Sequence, residues 1–266
     1  MRHPEIHMPR GESPILEDPF YSTEAADDFF TSLSRTAGGR RSGIRRPDHF
    51  SDPVAAHRLR ARSPEARLIV VARNPVDRAH VAYYHYARFG FVEVGDPNEI
   101  LRRLLDDEQA GKLLGRRREI LEYGLYGRAL EQWLKLFSLE RFLFIDQTTL
   151  IKDTDATINT VWSFLDVTPV SVGPLEHAME GVYDDRRIRL RQAIRPLMFS
   201  VGDRERLRPR SRIANAAFER IDRHLLARLW RTPRTPLSTE TRSRLADFYR
   251  ADSTRFEELS GLSLNR

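Results

Sequence analysis

Hydrophobic positions along the chain fall into short, capped runs. "RLIVVAR" (67 to 73) is an apolar run of strand length, as expected of a parallel strand buried on both faces. Asn74-Pro75-Val76-Asp77 follows at once. It supplies a cap, a proline at the first helical position and an acid in the first turn, which predicts a helix reaching Phe89 and stopping at Gly90. "SDPVAAHRLRARSPEA", capped by Ser51 or Asp52, predicts a short helix ahead of that strand. Amphipathic spacing predicts further helices over 96–111, 124–137 and 153–167, the last with Ile158, Val161, Trp162 and Leu165 on one face. "RFLFID" (141 to 146) reads as a second short buried strand.

Beyond residue 185 the chain reads as basic and helical, with helices near 186–199, 213–230 and 239–259. Residues 1–50 carry little periodic pattern, and "TAGGRRSGIRRP" (36 to 47) reads as an exposed basic loop. Strands alternating with helices predict an α/β domain with a parallel sheet and a helical C-terminal extension. At 266 residues one large domain is long enough for a proper core, and a single domain is the expectation.

Composition narrows the chemistry. There is no cysteine, which excludes disulfides, thiolate metal sites and a cysteine nucleophile. The eight histidines show no ligand spacing, so no metal is expected. No apolar run reaches the ~18 residues a membrane span needs, and no leader pattern opens the chain; a cytoplasmic protein is the expectation. Formal net charge is +6, favouring anionic ligands. Only Lys112, Lys135 and Lys152 are lysines, so any phosphate or sulfate clamp relies largely on guanidinium groups. Basic residues are spread among many acids without a nucleic-acid-binding motif, so no nucleic-acid partner is expected.

The strand end at Arg73 is the sharpest local signal. In open α/β folds ligands bind beyond the carboxyl ends of strands, where free helix N-termini gather. A guanidinium beside unpaired helix N–H groups suits a phosphate; a solvated arginine, or one paired with Asp77, is the plainer alternative.

"LIVVARNPVDRAHVAYYHY" resembles the 3′-phosphate-binding segment of the sulfotransferases that use 3′-phosphoadenosine 5′-phosphosulfate (PAPS). The resemblance extends through "GLYGRALEQWLKLFSLERFLFIDQTTLIKDTDATINTVWSFLDV", through "PLSTETRSRLADFYRADSTRFEELSGLSL" and to "RHPEIHMPRGESP", so that it covers nearly the whole chain. It leans toward carbohydrate-type and bacterial members. It implies a three-layer parallel sheet flanked by helices, like that of P-loop NTPases, and transfer of a sulfuryl group from PAPS to a hydroxyl or amine, with no metal. The acceptor would be a glycan, a lipid or a small metabolite.

Carried over residue by residue, Arg73 would bind the 3′-phosphate. Glu12 falls where many carbohydrate-type members have a glutamate acting as general base, although in isolation it reads as a surface residue. Arg45, with Arg46 a near-equal candidate, falls where relatives carry a lysine that offsets charge on the sulfuryl oxygens. Arg231 and Arg234 precede the closing helix, where some relatives place a basic nucleotide loop; the glycine of that loop is absent here. Tyr126 and Trp133 sit on an amphipathic helix, where core packing is the favoured reading over a place in the cleft.

Two departures from the family pattern matter. The helix serine that would bond the 3′-phosphate aligns with Val81, a loss of about 1.5–3 kcal/mol, or one to two decades of affinity. The Gly-Lys-Thr loop that cradles the 5′-phosphosulfate should precede "HPEIHMP", and "AGGRRSG" (37 to 43) lacks the strand and helix to replace it. Three explanations compete: an upstream start that encodes the loop and the sheet's first strand, a shortened relative without catalysis, or a fold used differently. The first is the expectation. The alternative function is an inactive relative that binds nucleotide weakly or acts as a scaffold.

Overall fold

The computed structural model describes residues 3–172, 183–201, 207–230 and 232–264. In chain order its main elements are β1 (Ile6–His7), α1 (Thr23–Ala37), β2 (Arg41–Ser42), α2 (Pro53–Arg62), β3 (Leu68–Ala72), α3 (Pro75–Arg88), α4 (Pro97–Gln109) and α5 (Tyr126–Leu134). They continue as β4 (Phe142–Asp146), α6 (Thr154–Leu165), α7 (Asp185–Met198), β5 (Phe199–Val201), β6 (Leu207–Pro209), α8 (Arg212–Ile221) and α9 (Thr239–Ser260). The chain divides into two compact units, one of residues 1–74, 125–176 and 252–266, the other of 75–124 and 177–251.

In the first unit, β3 and β4 pair in parallel from Leu68 opposite Phe142 to Ala72 opposite Asp146. Ala72 and Phe142 belong to a core with Leu130, Trp133, Phe137, Phe256 and Leu264, joined by Leu68, Val70 and Phe144. Trp133 donates its indole N–H to the Phe50 carbonyl at 2.9 Å. Tyr126 packs on Phe50 and Phe256, so both aromatics of α5 serve the core. Truncating Trp133 there would cost about 3–5 kcal/mol. Helix α5 meets α9 closely: the Gly127 N–H reaches Asp252 at 2.8 Å, and a Cβ on Gly127 would lie 2.4 Å from the Asp252 carbonyl. A second cluster joins Ile145 of β4 to Val161 and Trp162 of α6, with Ile158 and Leu165 against it, the face the periodicity predicts.

The β3 strand departs from the expected burial. Ile69 and Val71, on the face opposite Leu68, Val70 and Ala72, are 39% and 50% exposed. The alternating pattern means that one face of this strand is packed and the other open among the described residues. The sheet itself also differs from a continuous one. β1 and β2 pair in parallel as a separate two-residue ladder, and β5 pairs antiparallel with β6.

In the second unit, α3 buries Tyr83, Tyr84 and Tyr86, and α4 buries Ile100, Leu101, Leu104 and Leu105 at helical spacing. The Tyr83 hydroxyl donates to the Gly95 carbonyl at 2.9 Å and the Tyr249 hydroxyl to Leu121 at 2.8 Å, so each buried phenol is satisfied. Gly124 is pressed against the Tyr249 ring, where a Cβ would approach to 2.8 Å. Asp96 and Asp184 cap α4 and α7 by accepting from the first free N–H groups.

Three elements differ from the sequence expectation. Helix α1 fills part of the region that carried little pattern; Ser22 caps its start and left-handed Gly38 ends it. β5 and β6 pair in the stretch between the helices expected near 186–199 and 213–230, where no strand was expected. The helix expected over 213–230 is α8 followed by a π turn at Asp222–Leu226 and a last α turn at Ala227–Leu229. Among the described residues no helix is long and apolar enough to cross a membrane.

Candidate active site

Four sequence-predicted residues can be placed in the first unit. Two distant loops meet there: the Ser13 N–H donates to the Arg45 carbonyl at 3.1 Å, and the Arg45 Nε–H donates to the Gly11 carbonyl at 3.3 Å. The loops that carry Glu12 and Arg45, the expected base and cation, are thereby brought together. Arg45 itself is exposed.

Arg46 is the organising residue. Its Nη1 donates to Glu12 Oε2 at 2.9 Å, its Nε to Glu17 Oε1 at 2.6 Å, and its Nη2 to Asp48 Oδ2 at 2.5 Å. Burial disfavours its charge, but the hydrogen bond to Glu17 and the charges of Asp48 and Glu17 prevail, holding its pKa above the ordinary arginine value. Within the basic loop, Arg40, Arg41 and Arg45 are exposed as expected, but Arg46 is only 19% exposed, because three carboxylates draw it inward. Glu17 is almost wholly buried, and His49 Nε2 lies 3.5 Å from it.

This arrangement fixes Glu12 without enclosing it. One carboxylate oxygen is anchored to Arg46, and the side chain remains about half exposed. A carboxylate so held has a free oxygen with which to accept a proton. Glu17 is the residue the sequence reading missed. Its signal was a carboxylate directly after the apolar pair Ile15-Leu16, a setting that predicts burial and hence a cationic partner.

Arg73 follows β3 directly and is half-buried; Asn74 separates it from the first residue of α3. The Asn74 side-chain amide donates to the Leu264 carbonyl at 3.4 Å, pinning the turn. Val81, half-buried on α3, offers only methyl groups.

In the second unit, Arg234 lies exposed on the loop that leads into α9. That loop is tied to α3 by Thr235 N–H donating to the Tyr84 hydroxyl at 3.1 Å, and to α4 by Ser238 N–H donating to Asn98 Oδ1 at 2.7 Å. Arg231 lies outside the described residues. His80, beside Val81, does not replace the missing serine. It is buried, and burial together with the Arg234 charge lowers its pKa to about 4, so the ring is uncharged at neutral pH.

Comparison with known proteins adds the family. The sulfotransferase domain model matches residues 46–183, just over half of the chain. Human heparan sulfate glucosamine 3-O-sulfotransferase 6 is 32% identical over 164 residues, covering 61% of this chain and 45% of that protein. Mouse heparan sulfate glucosamine 3-O-sulfotransferase 3B1 is 26% identical over 172 residues, covering 61% and 40%. The chain thus spans less than half the length of these relatives. The crystal structure of a sulfotransferase from Alicyclobacillus acidocaldarius superposes with a TM-score of 0.62 at 18% identity, covering 98% of this chain and 88% of that one. That likeness is one of fold, and it extends over both compact units. With the sulfotransferase domain model matched over more than half of its residues, this chain belongs to the sulfotransferase domain family.

Proposed function

We propose that the chain transfers a sulfuryl group to a hydroxyl or amine of a carbohydrate-type acceptor, with PAPS as donor. The observation that carries this reading is the meeting of two loops far apart in sequence, where Arg46 bonds Glu12 and Arg45 bonds the Gly11 carbonyl, in a member of this family. PAPS supplies an activated sulfuryl group whose bond to the 5′-phosphate breaks as the acceptor's bond to sulfur forms. Glu12 takes the acceptor's proton as that nucleophile attacks. Arg45 offsets the charge on the sulfuryl oxygens, and Arg46 keeps Glu12 oriented. Acceptors of the heparan sulfate type are favoured by the relatives' names, with lipids and small metabolites as alternatives.

The donor's 3′-phosphate end suits Arg73, whose guanidinium follows a strand and precedes a helix. The donor set is incomplete at Val81, which has no hydroxyl. That gap favours a second reading, an inactive relative that binds nucleotide weakly.

Adenosine 3′,5′-bisphosphate, the spent donor, is expected to raise the Tm, and Arg73→Ala to abolish the rise. No rise at millimolar bisphosphate would overturn nucleotide binding. Transfer of sulfate from PAPS to an oligosaccharide, lost in Glu12→Gln, separates the enzyme from the inactive relative.

A further inference from the structure

The segment from α8 to Leu229 carries a feature that sulfuryl transfer does not use. Ile213, Ala217, Ile221, Leu225 and Leu229 recur every fourth residue through α8, the π turn and the final α turn, and all five are exposed. Ile213 is 83% exposed and Leu229 63%. In a straight α-helix such a stripe drifts around the axis by about 40° per step. The wider turn at Asp222–Leu226 takes up part of that drift and keeps the later positions near the same side.

Charge is sorted across this segment. The two acids of residues 207–230, Glu219 and Asp222, are turned inward, where Arg191 bonds Glu219 at 2.9 Å and Asp222 at 2.7 Å, and Arg187 bonds Asp222 at 2.6 Å. Arg210, Arg220, Arg223 and Arg228 are all exposed. An apolar stripe bordered by arginines, with its acids withdrawn into the fold, is the pattern of a helix that lies in a membrane interface.

We propose that this segment docks the protein onto an anionic lipid bilayer, with the stripe entering the headgroup boundary and the arginines meeting lipid phosphates. Charge decides the occupant. A second copy of the chain would bring arginine borders against arginine borders, whereas an anionic bilayer neutralises them. The inference is independent of the sulfotransferase reading and stands or falls without it.

The test is cosedimentation of the full chain with vesicles of phosphatidylcholine alone or mixed with phosphatidylserine. Binding is expected to the mixed vesicles, weakening with salt. Arg220→Gln/Arg223→Gln/Arg228→Gln is expected to weaken it about a hundredfold. Ile221→Ser/Leu225→Ser is expected to weaken it at least about tenfold, with the Tm kept because both side chains are exposed. Failure to bind mixed vesicles above neutral ones, or equal binding by both variants, overturns the proposal. So does a dimer in sedimentation analysis that the serine variant dissolves, which would make the stripe a contact between copies.

Discussion

Two knots of charge, one in each unit, solve opposite problems. In the first, a single cation, Arg46, is held by three acids, Glu12, Glu17 and Asp48. In the second, a single acid, Asp222, is held by two arginines, Arg187 and Arg191, with Glu219 on the outer side of Arg191. The members differ in depth. Asp222, Arg187 and Arg191 are all nearly sealed from water, whereas Glu12 stays about half exposed. A knot closed on all sides can only stabilise; one with an open carboxylate can also meet a substrate. The second is read as architecture and the first as chemistry, and that contrast can be broken experimentally.

The largest effect belongs to the closed knot. Asp222→Asn takes from buried Arg187 and Arg191 the carboxylate they share, Glu219 still bonding Arg191, a loss of about 3 kcal/mol, which a chain of this size registers as a Tm drop of roughly 10 °C. Burial opposes the Asp222 charge, but hydrogen bonds from Arg187 and Arg191 prevail and lower its pKa. The Arg191 hydrogen bond likewise lowers that of Glu219, against burial. A depressed carboxylate contributes stability that is present above its unfolded pKa and lost as pH falls through the folded one. Acid titration of Tm should therefore show a decline below about pH 4 that is shallower in Asp222→Asn. An unchanged Tm and an unchanged acid limb would mean that the knot is not closed.

Arg46→Met probes the other knot with a side chain of similar length and no charge. It takes the guanidinium away from Glu17, which is nearly inaccessible to water, and should cost about 3 kcal/mol. Glu17→Gln in the same background should restore part of that loss, since a neutral amide tolerates burial better than a carboxylate deprived of its guanidinium. Additive losses in the double variant would show that Arg46 and Glu17 do not act as a pair.

How far these features could be read from the sequence depended on whether the signal was local. Helix α3 was legible because Asn74, Pro75 and Asp77 are start signals within four residues, and α6 because Ile158, Val161, Trp162 and Leu165 repeat at helical spacing. Helix α1 was not: its buried positions are Ala26, Leu33 and Ala37, too small and sparse to stand out, although Ser22 and Gly38 marked both ends. The exposed face of β3 was equally hidden, because "LIVVA" reads the same whether one face is covered or two. Glu12 and Arg45 came from family resemblance rather than from any pattern of their own. The Arg46–Glu17 pair joins residues 29 apart, a closure that only the folded loops reveal.

The smallest stability effect is the most telling about chemistry. Glu12→Gln removes one charged partner of Arg46 but leaves Glu17 and Asp48 in place, and the glutamine remains about half in water. An exposed pair of this kind contributes about 0–1 kcal/mol, so the Tm should move by no more than about 2–3 °C. Sulfate transfer, in contrast, should fall by two to four decades, roughly the worth of a general base. A fall in transfer matched by a Tm loss as large as that of Arg46→Met would make Glu12 a structural member of the knot. An intact fold with transfer retained would move the search for the base to another carboxylate. Only the split, a preserved fold with lost transfer, fits a knot left open for chemistry at Glu12 and closed at Glu17.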